Sequence, residues 1–81
     1  MELDIRGTEA DTIREYLAGM GGVQLTPDHI TGEGWEARLT LGVHRLYRWE
    51  FPRVVVAFSG EPEAVAAVAG RLRLLAFRGG G

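Results

Sequence analysis

Few residues in this 81-residue chain have the type and spacing that chemistry needs. Ser59 is the only serine and follows an apolar run, "VVVAF", as a nucleophile does. But "AFSGEP" is not the G-x-S-x-G turn that lifts a serine above a sheet, so Ser59 reads as a cap or turn residue. His29 and His44 are the only histidines, and they form neither an H-x-x-x-H pair nor an H-E-x-x-H helix. A metal site would need the fold to join both with a carboxylate such as Asp28. "TGEG" lacks the G-x-G-x-x-G and Walker spacings and opens no helix, so it does not cradle phosphate. With no cysteine there is no disulfide, thiolate nucleophile or thiolate zinc site. The expectation is a protein without catalytic, cofactor-binding or metal-binding residues: not an enzyme, and with no cofactor.

The segment with most character is "HRLYRWEFPR". Arg45, Arg48 and Arg53 interleave with Tyr47, Trp49 and Phe51. Arginine and aromatics on one sheet face can stack single-stranded bases. An ordinary strand shows the same alternation, with aromatics in the core and arginines in water, where Glu36 and Glu50 can pair with them. The formal charge of −2 argues against binding phosphates wholesale, so nucleic acid is not expected. Arg45, Arg48, Trp49 and Arg53 are instead a candidate protein-interaction surface, and Trp35 and Trp49 read as core or interface anchors. A small domain with aromatic-rich strands and few devices to blunt an edge is expected to bury an edge or a sheet face, in a homodimer or against a protein partner.

The third candidate is the ending "FRGGG". Residues 79–81 read as a flexible glycine tail, in which Gly79 suits the position after a helix and Gly80 and Gly81 remain as the free end. Glycines alone can thread a narrow enzyme channel and present a carboxylate for activation, so Gly80 and Gly81 are the candidate modified terminus.

The elements that would position these residues follow from pattern. The length suits one domain, residues 1–81, and 46% hydrophobic residues suit a packed core. No apolar run approaches the ~20 residues of a membrane span. "MELDIRG" is acidic and alternating rather than a signal peptide, so a cytoplasmic protein that touches no membrane is expected. All nine basic residues are Arg, Asn is absent, and Gln24 is the single Gln, a bias that fits a thermophile. "ELDIR" reads as a strand. "TEADTIREYLAGMGG" reads as a helix capped by Thr8, with Ala10, Ile13, Leu17 and Met20 inward and Gly21–Gly22 at its end. Val23 and Leu25 suggest a short strand between turns. "WEARLTL" is a clear strand that Gly42 interrupts, and "LYRWEF" is another, ended by Pro52. "VVVAF" is a central strand. A second helix opens at Pro62 and buries Val65, Val68, Leu72 and Leu75, with Ala69 and Ala76 beside them. Gly70 within it suggests either close packing or mere tolerance. The fold class is α+β: an antiparallel sheet with two helices on one face.

"REYLAGMGG", "GEGWEARL", "FPRVVVAFSGE" and "FRGGG" resemble, in order and spacing, a small bacterial domain family with no established activity. In that family the domain is the C-terminal half of a MoaD-related protein. The N-terminal half resembles the sulfur-carrier subunit of molybdopterin synthase. The resemblance implies a β-α-β(4)-α fold of the TATA-binding-protein-like class, with a curved antiparallel sheet, and a link to molybdopterin biosynthesis in thermophiles. Sulfur carriers end in Gly-Gly, whose carboxylate is adenylated and converted to a thiocarboxylate. Gly80 and Gly81 match that pair in type and position, but a carrier tail leaves a β-grasp strand and this one leaves a helix. The implied role is a non-enzymatic accessory or interaction domain. A carrier activated at its C-terminal glycine is one alternative, and a helix-grip-like pocket for a small apolar ligand is another.

Overall fold

The computed structural model describes residues 1–79, so Gly80 and Gly81 of the candidate terminus lie outside the described residues. The chain runs β1 (Glu2–Arg6), α1 (Ala10–Gly19), β2 (Val23–Thr26), β3 (His29–Gly32), β4 (Trp35–Leu46), β5 (Trp49–Gly60) and α2 (Pro62–Gly79). The strands form one sheet in the order β1-β5-β4-β3-β2, and every pair of neighbours is antiparallel. This is the expected β-α-β(4)-α order.

Period-two burial decides which face the helices cover. Ile5, Ala37, Leu39, Val54, Val56 and Phe58 point to one side, and Ile13 and Leu17 of α1 join Val65, Ala69, Leu72 and Ala76 of α2 on top of them. Both helices therefore lie on one face, and their side chains pack with those of the sheet into one core. Grooves on the described surface run along the helices. One is lined by Gly70, Arg73, Leu74 and Phe77, another by Met20, Ala67, Val68 and Arg71. No helix among the described residues is long and apolar enough to cross a membrane.

The helix boundaries follow local chemistry, with one exception. Gly21 takes φ +87° and donates to Ala18 O at 3.1 Å, while Gly22 N–H reaches back to Leu17 O at 2.9 Å. That pair of bonds is a Schellman termination, and glycine carries the left-handed residue at no steric cost. Pro62 opens α2 as its fixed φ favours. Thr8 is not the cap of α1. Glu9 occupies that position and makes no side-chain cap bond. Gly79 is the last residue of α2 rather than the residue after it.

The strands depart further from expectation. Gly42 does not interrupt β4 but pairs with Arg53 in an unbroken register from Trp35 to Leu46. Pro52 does not end a strand, because it sits inside β5 opposite Val43. A strand residue points its N–H and C=O to the same side. Pro52 O accepts from Gly7 N at 2.8 Å, just past the end of β1, so its missing N–H falls on an edge that β1 has already left. The segment read as two strands around Pro52 is therefore one. The fifth strand is β3, a short piece to which the sequence pattern assigns no strand, with Ile30 as its buried side chain. Ser59 is neither cap nor turn: it lies exposed in β5, opposite Glu36.

Gly70 is tolerated rather than needed. A Cβ built there meets nothing within 4 Å, and the residue is exposed in mid-helix. Gly70→Ala is expected to stabilise the fold by about 0.5–1 kcal/mol, by restricting the unfolded chain and restoring helix propensity. A higher urea midpoint at unchanged slope is the reading that checks it.

Candidate interaction surface

The candidate surface lies where β4 and β5 outrun their neighbours. β3 pairs with β4 only as far as Arg38, after which Asp28 O takes the Leu39 N–H at 2.8 Å. β1 pairs with β5 only as far as Arg53. Past those points Thr40–Leu46 and Trp49–Pro52 continue as a two-stranded arm, closed by a turn at Tyr47 and Arg48 in which Tyr47 takes φ 57°. The arm is consistent with the elongated shape, 41 × 24 × 20 Å.

Register assigns each side chain of the arm to a face. Leu41, Val43, Arg45, Glu50 and Pro52 continue the helix-bearing side, and His44, Leu46, Trp49, Phe51 and Arg53 the helix-free side. Neither row is in the core. Leu46 is 52% exposed, Trp49 60% and Tyr47, at the tip, 94%. The expectation of aromatics packed inside an ordinary strand is therefore overturned for Tyr47, Trp49 and Phe51, while Trp35 is a core residue. Trp49 and Phe51 have the parity of the helix-free side, which nothing in the protomer covers, and Leu41 and Val43, of inward parity, are exposed as well because the helices do not extend over the arm.

The four residues proposed as a surface do not share one. Arg45 is on the helix-bearing side and reaches Glu50 across the arm at 3.6 Å. Arg48, in the turn, stands 5.9 Å from the centre of the Trp49 ring, within cation–π range. Arg53 is on the same face as Trp49 but is engaged, with Nε and an Nη atom holding the two Asp4 oxygens at 2.9 and 2.8 Å. Arg6 adds a third bond to Asp4 at 3.1 Å. The row that coheres is Leu46, Trp49 and Phe51, with Arg48 stacked at its end. Sequence reading missed Leu46 as a surface residue, since alternation names a face and not what covers it.

Arg53, and after it Arg6, hold the Asp4 carboxyl well below the usual carboxylate range, and Asp4 in turn raises the Arg53 pKa. The depressed folded-state value fixes the sign. The contribution is fully present above the unfolded carboxylate range near 3.9 and is lost as pH falls through the folded-state value. Asp4→Asn is therefore expected to be less stable than wild type by a constant margin at neutral pH, with the gap closing in strong acid. Circular dichroism across an acid titration of both proteins measures that gap.

The two histidines are not brought together. His29 sits in β3 opposite Arg38, its Nε2 3.3 Å from Glu36 Oε1, whereas His44 lies six positions further along β4 in the arm, roughly 20 Å at strand rise. Asp28 lies 3.9 Å from Arg14 instead. Among the described residues no three His, Cys, Asp or Glu side chains are grouped so as to hold a metal ion.

The family model described as archaeal MoaD-like protein matches residues 1–81. No curated protein matches the chain.

Proposed function

Because the chain belongs to the archaeal MoaD-like protein family along its whole length, we propose that it is a non-enzymatic accessory module of sulfur-carrier chemistry. It works by docking on a protein of that chemistry through the helix-free face of the β4–β5 arm. The observation that carries this reading is the solvent-exposed row Leu46, Trp49 and Phe51 on a strand pair with unbroken register. Tryptophan, aromatics and arginine are the side chains that dominate binding energy at interfaces. Here they stand on a hydrogen-bonded ribbon, so little ordering is lost when a partner covers them. Arg48 over Trp49 leaves a cation at the rim, and the one carboxylate of the arm, Glu50, is engaged by Arg45 on the other side. The face therefore fits an apolar patch with an acidic border.

The test is calorimetric titration of the purified chain with its host's sulfur carrier and with the enzyme that adenylates that carrier. Saturable binding to either one is expected. No binding to both would overturn the docking reading. Adding ATP to the enzyme titration separates the alternative, a carrier activated at Gly81. Pyrophosphate released with the full chain, and not with a Gly81-deleted one, would replace the accessory role with the carrier role.

A further inference from the structure

The arm has two backbone edges, and they are not alike. On the β5 edge Pro52 has no N–H to offer, and its carbonyl is taken by Gly7 at 2.8 Å. On the β4 edge the Leu39 N–H faces β3, as its 2.8 Å bond to Asp28 O shows. Strand alternation then turns the N–H and C=O of Leu41, Val43 and Arg45 the same way, past the end of β3. No described residue takes them. This edge carries no proline, no bulge and no inward-facing lysine, the devices that keep an edge from pairing. It is flanked by apolar side chains on the helix-bearing side, with Val43 57% exposed and Leu41 open as well.

We propose that this edge of β4 pairs, antiparallel and about a two-fold axis centred on Val43, with the same edge of a second copy of the chain. The inference stands apart from the docking face, which is the helix-free side of the arm. Self-complementarity selects the occupant. Two-fold pairing sets Val43 against Val43 of the second copy and Leu41 against its Arg45, each pair exchanging both backbone bonds. No Arg45 meets another Arg45, and each is already engaged by Glu50 at 3.6 Å. On the other side of the ribbon Gly42 lies against His44 of the second copy, so no two bulky side chains collide there, and Leu46 lies against Thr40. A pairing of this kind joins the two arms into one sheet and closes the edge, as an isologous dimer requires.

The test uses the full chain. Sedimentation equilibrium is expected to give twice 8.9 kDa at tens of micromolar (about the range of modest interfaces). Val43→Pro removes an N–H that bonds nothing within the protomer, and Val43→Lys places a charge on the edge. Both are expected to weaken the dimer at least about tenfold and sediment at 8.9 kDa with a wild-type far-ultraviolet spectrum. If Val43→Pro fails to fold, Val43→Lys alone decides, because an exposed site accepts the charge. The chain has no cysteine, so Val43→Cys gives a clean register probe. Paired Cα atoms near 5.5 Å are within disulfide reach, and oxidation is expected to yield a covalent dimer, whereas Leu74→Cys yields none. A wild-type mass of 8.9 kDa throughout, a dimer that survives Val43→Lys, or a Val43→Cys protein that stays monomeric on oxidation would overturn the proposal.

Discussion

Gly60→Ala is expected to destabilise the fold by about 3–5 kcal/mol. Gly60 holds φ +128°, a region that side-chain-bearing residues avoid at about 1–3 kcal/mol. A Cβ there would also overlap the Gly34 carbonyl oxygen and stand 2.9 Å from Trp35 Cα. Both are backbone atoms, so no rotamer change can relieve the contact, and overpacking of that kind adds about 1–3 kcal/mol. The carbonyl cannot retreat freely, since it accepts the Glu61 N–H at 2.8 Å at the entry to α2. For a chain of 81 residues a total stability of roughly 4–12 kcal/mol is ordinary, so this single methyl would remove a large part of it. Gly42→Ala is the control. A Cβ at Gly42 meets nothing within 4 Å and its φ is not positive, so a change within about 0.5 kcal/mol is expected. Urea unfolding of the two variants side by side measures the contrast. Near-equal losses would mean that the β5–α2 junction is not as tightly closed as the Gly34–Gly60 contact implies.

The end of α1 and the start of α2 were legible in the sequence. Pro62 and the Gly21–Gly22 pair act within a few residues of themselves, through a fixed φ and a positive φ, so they could be read without knowing the fold. The inward stripe of α2 was legible in part: Val65 and Leu72 are buried as the helical period predicts, but Ala69 and Ala76 complete the buried row, while Val68 and Leu75 are only half-buried. Pro52 was misread because its meaning is not local. Whether a proline can sit within a strand depends on whether a neighbour still needs its N–H, and that depends on where β1 stops. The aromatics of the arm were misread for a related cause. Trp49 and Phe51 alternate as a core strand would, yet their exposure depends on what covers them. Ile30 alone marked β3 as buried, too little signal for a four-residue strand between turns. The candidate surface was thus legible as a segment, residues 44–53, but not as a geometry. Its four named residues divide between two faces and a turn.

If the arm is the docking face proposed above, Trp49→Ala is expected to cut affinity for the proposed sulfur-carrier-side partner by about 30-fold, which corresponds to roughly 2 kcal/mol, the usual threshold of an interface hot spot. The stability change should be much smaller. Trp49 is 60% exposed, and what it loses within the protomer is chiefly the cross-strand contact with Leu46 and the approach of Arg48, each worth well under about 1 kcal/mol. A loss of binding with a preserved urea midpoint would thus report the surface rather than the fold. Arg48→Ala should cost less, because its cation stacks on an exposed ring and is largely solvated in the free protein. Combined with Trp49→Ala it should add less than its own single effect, since the arginine has then lost the ring that orients it. Phe51, on the same face two residues along β5, should fall between them. If the partner binds wild type and Trp49→Ala with equal affinity, the arm is not the docking face. The next surface to vary is then the exposed apolar pair Leu74 and Phe77 on α2, which borders the groove at Gly70. Substituting that pair while Trp49 is intact gives the reciprocal experiment. Each surface predicts sensitivity in one set of variants and indifference in the other, so calorimetry on the two sets assigns the docking face to one side of the molecule.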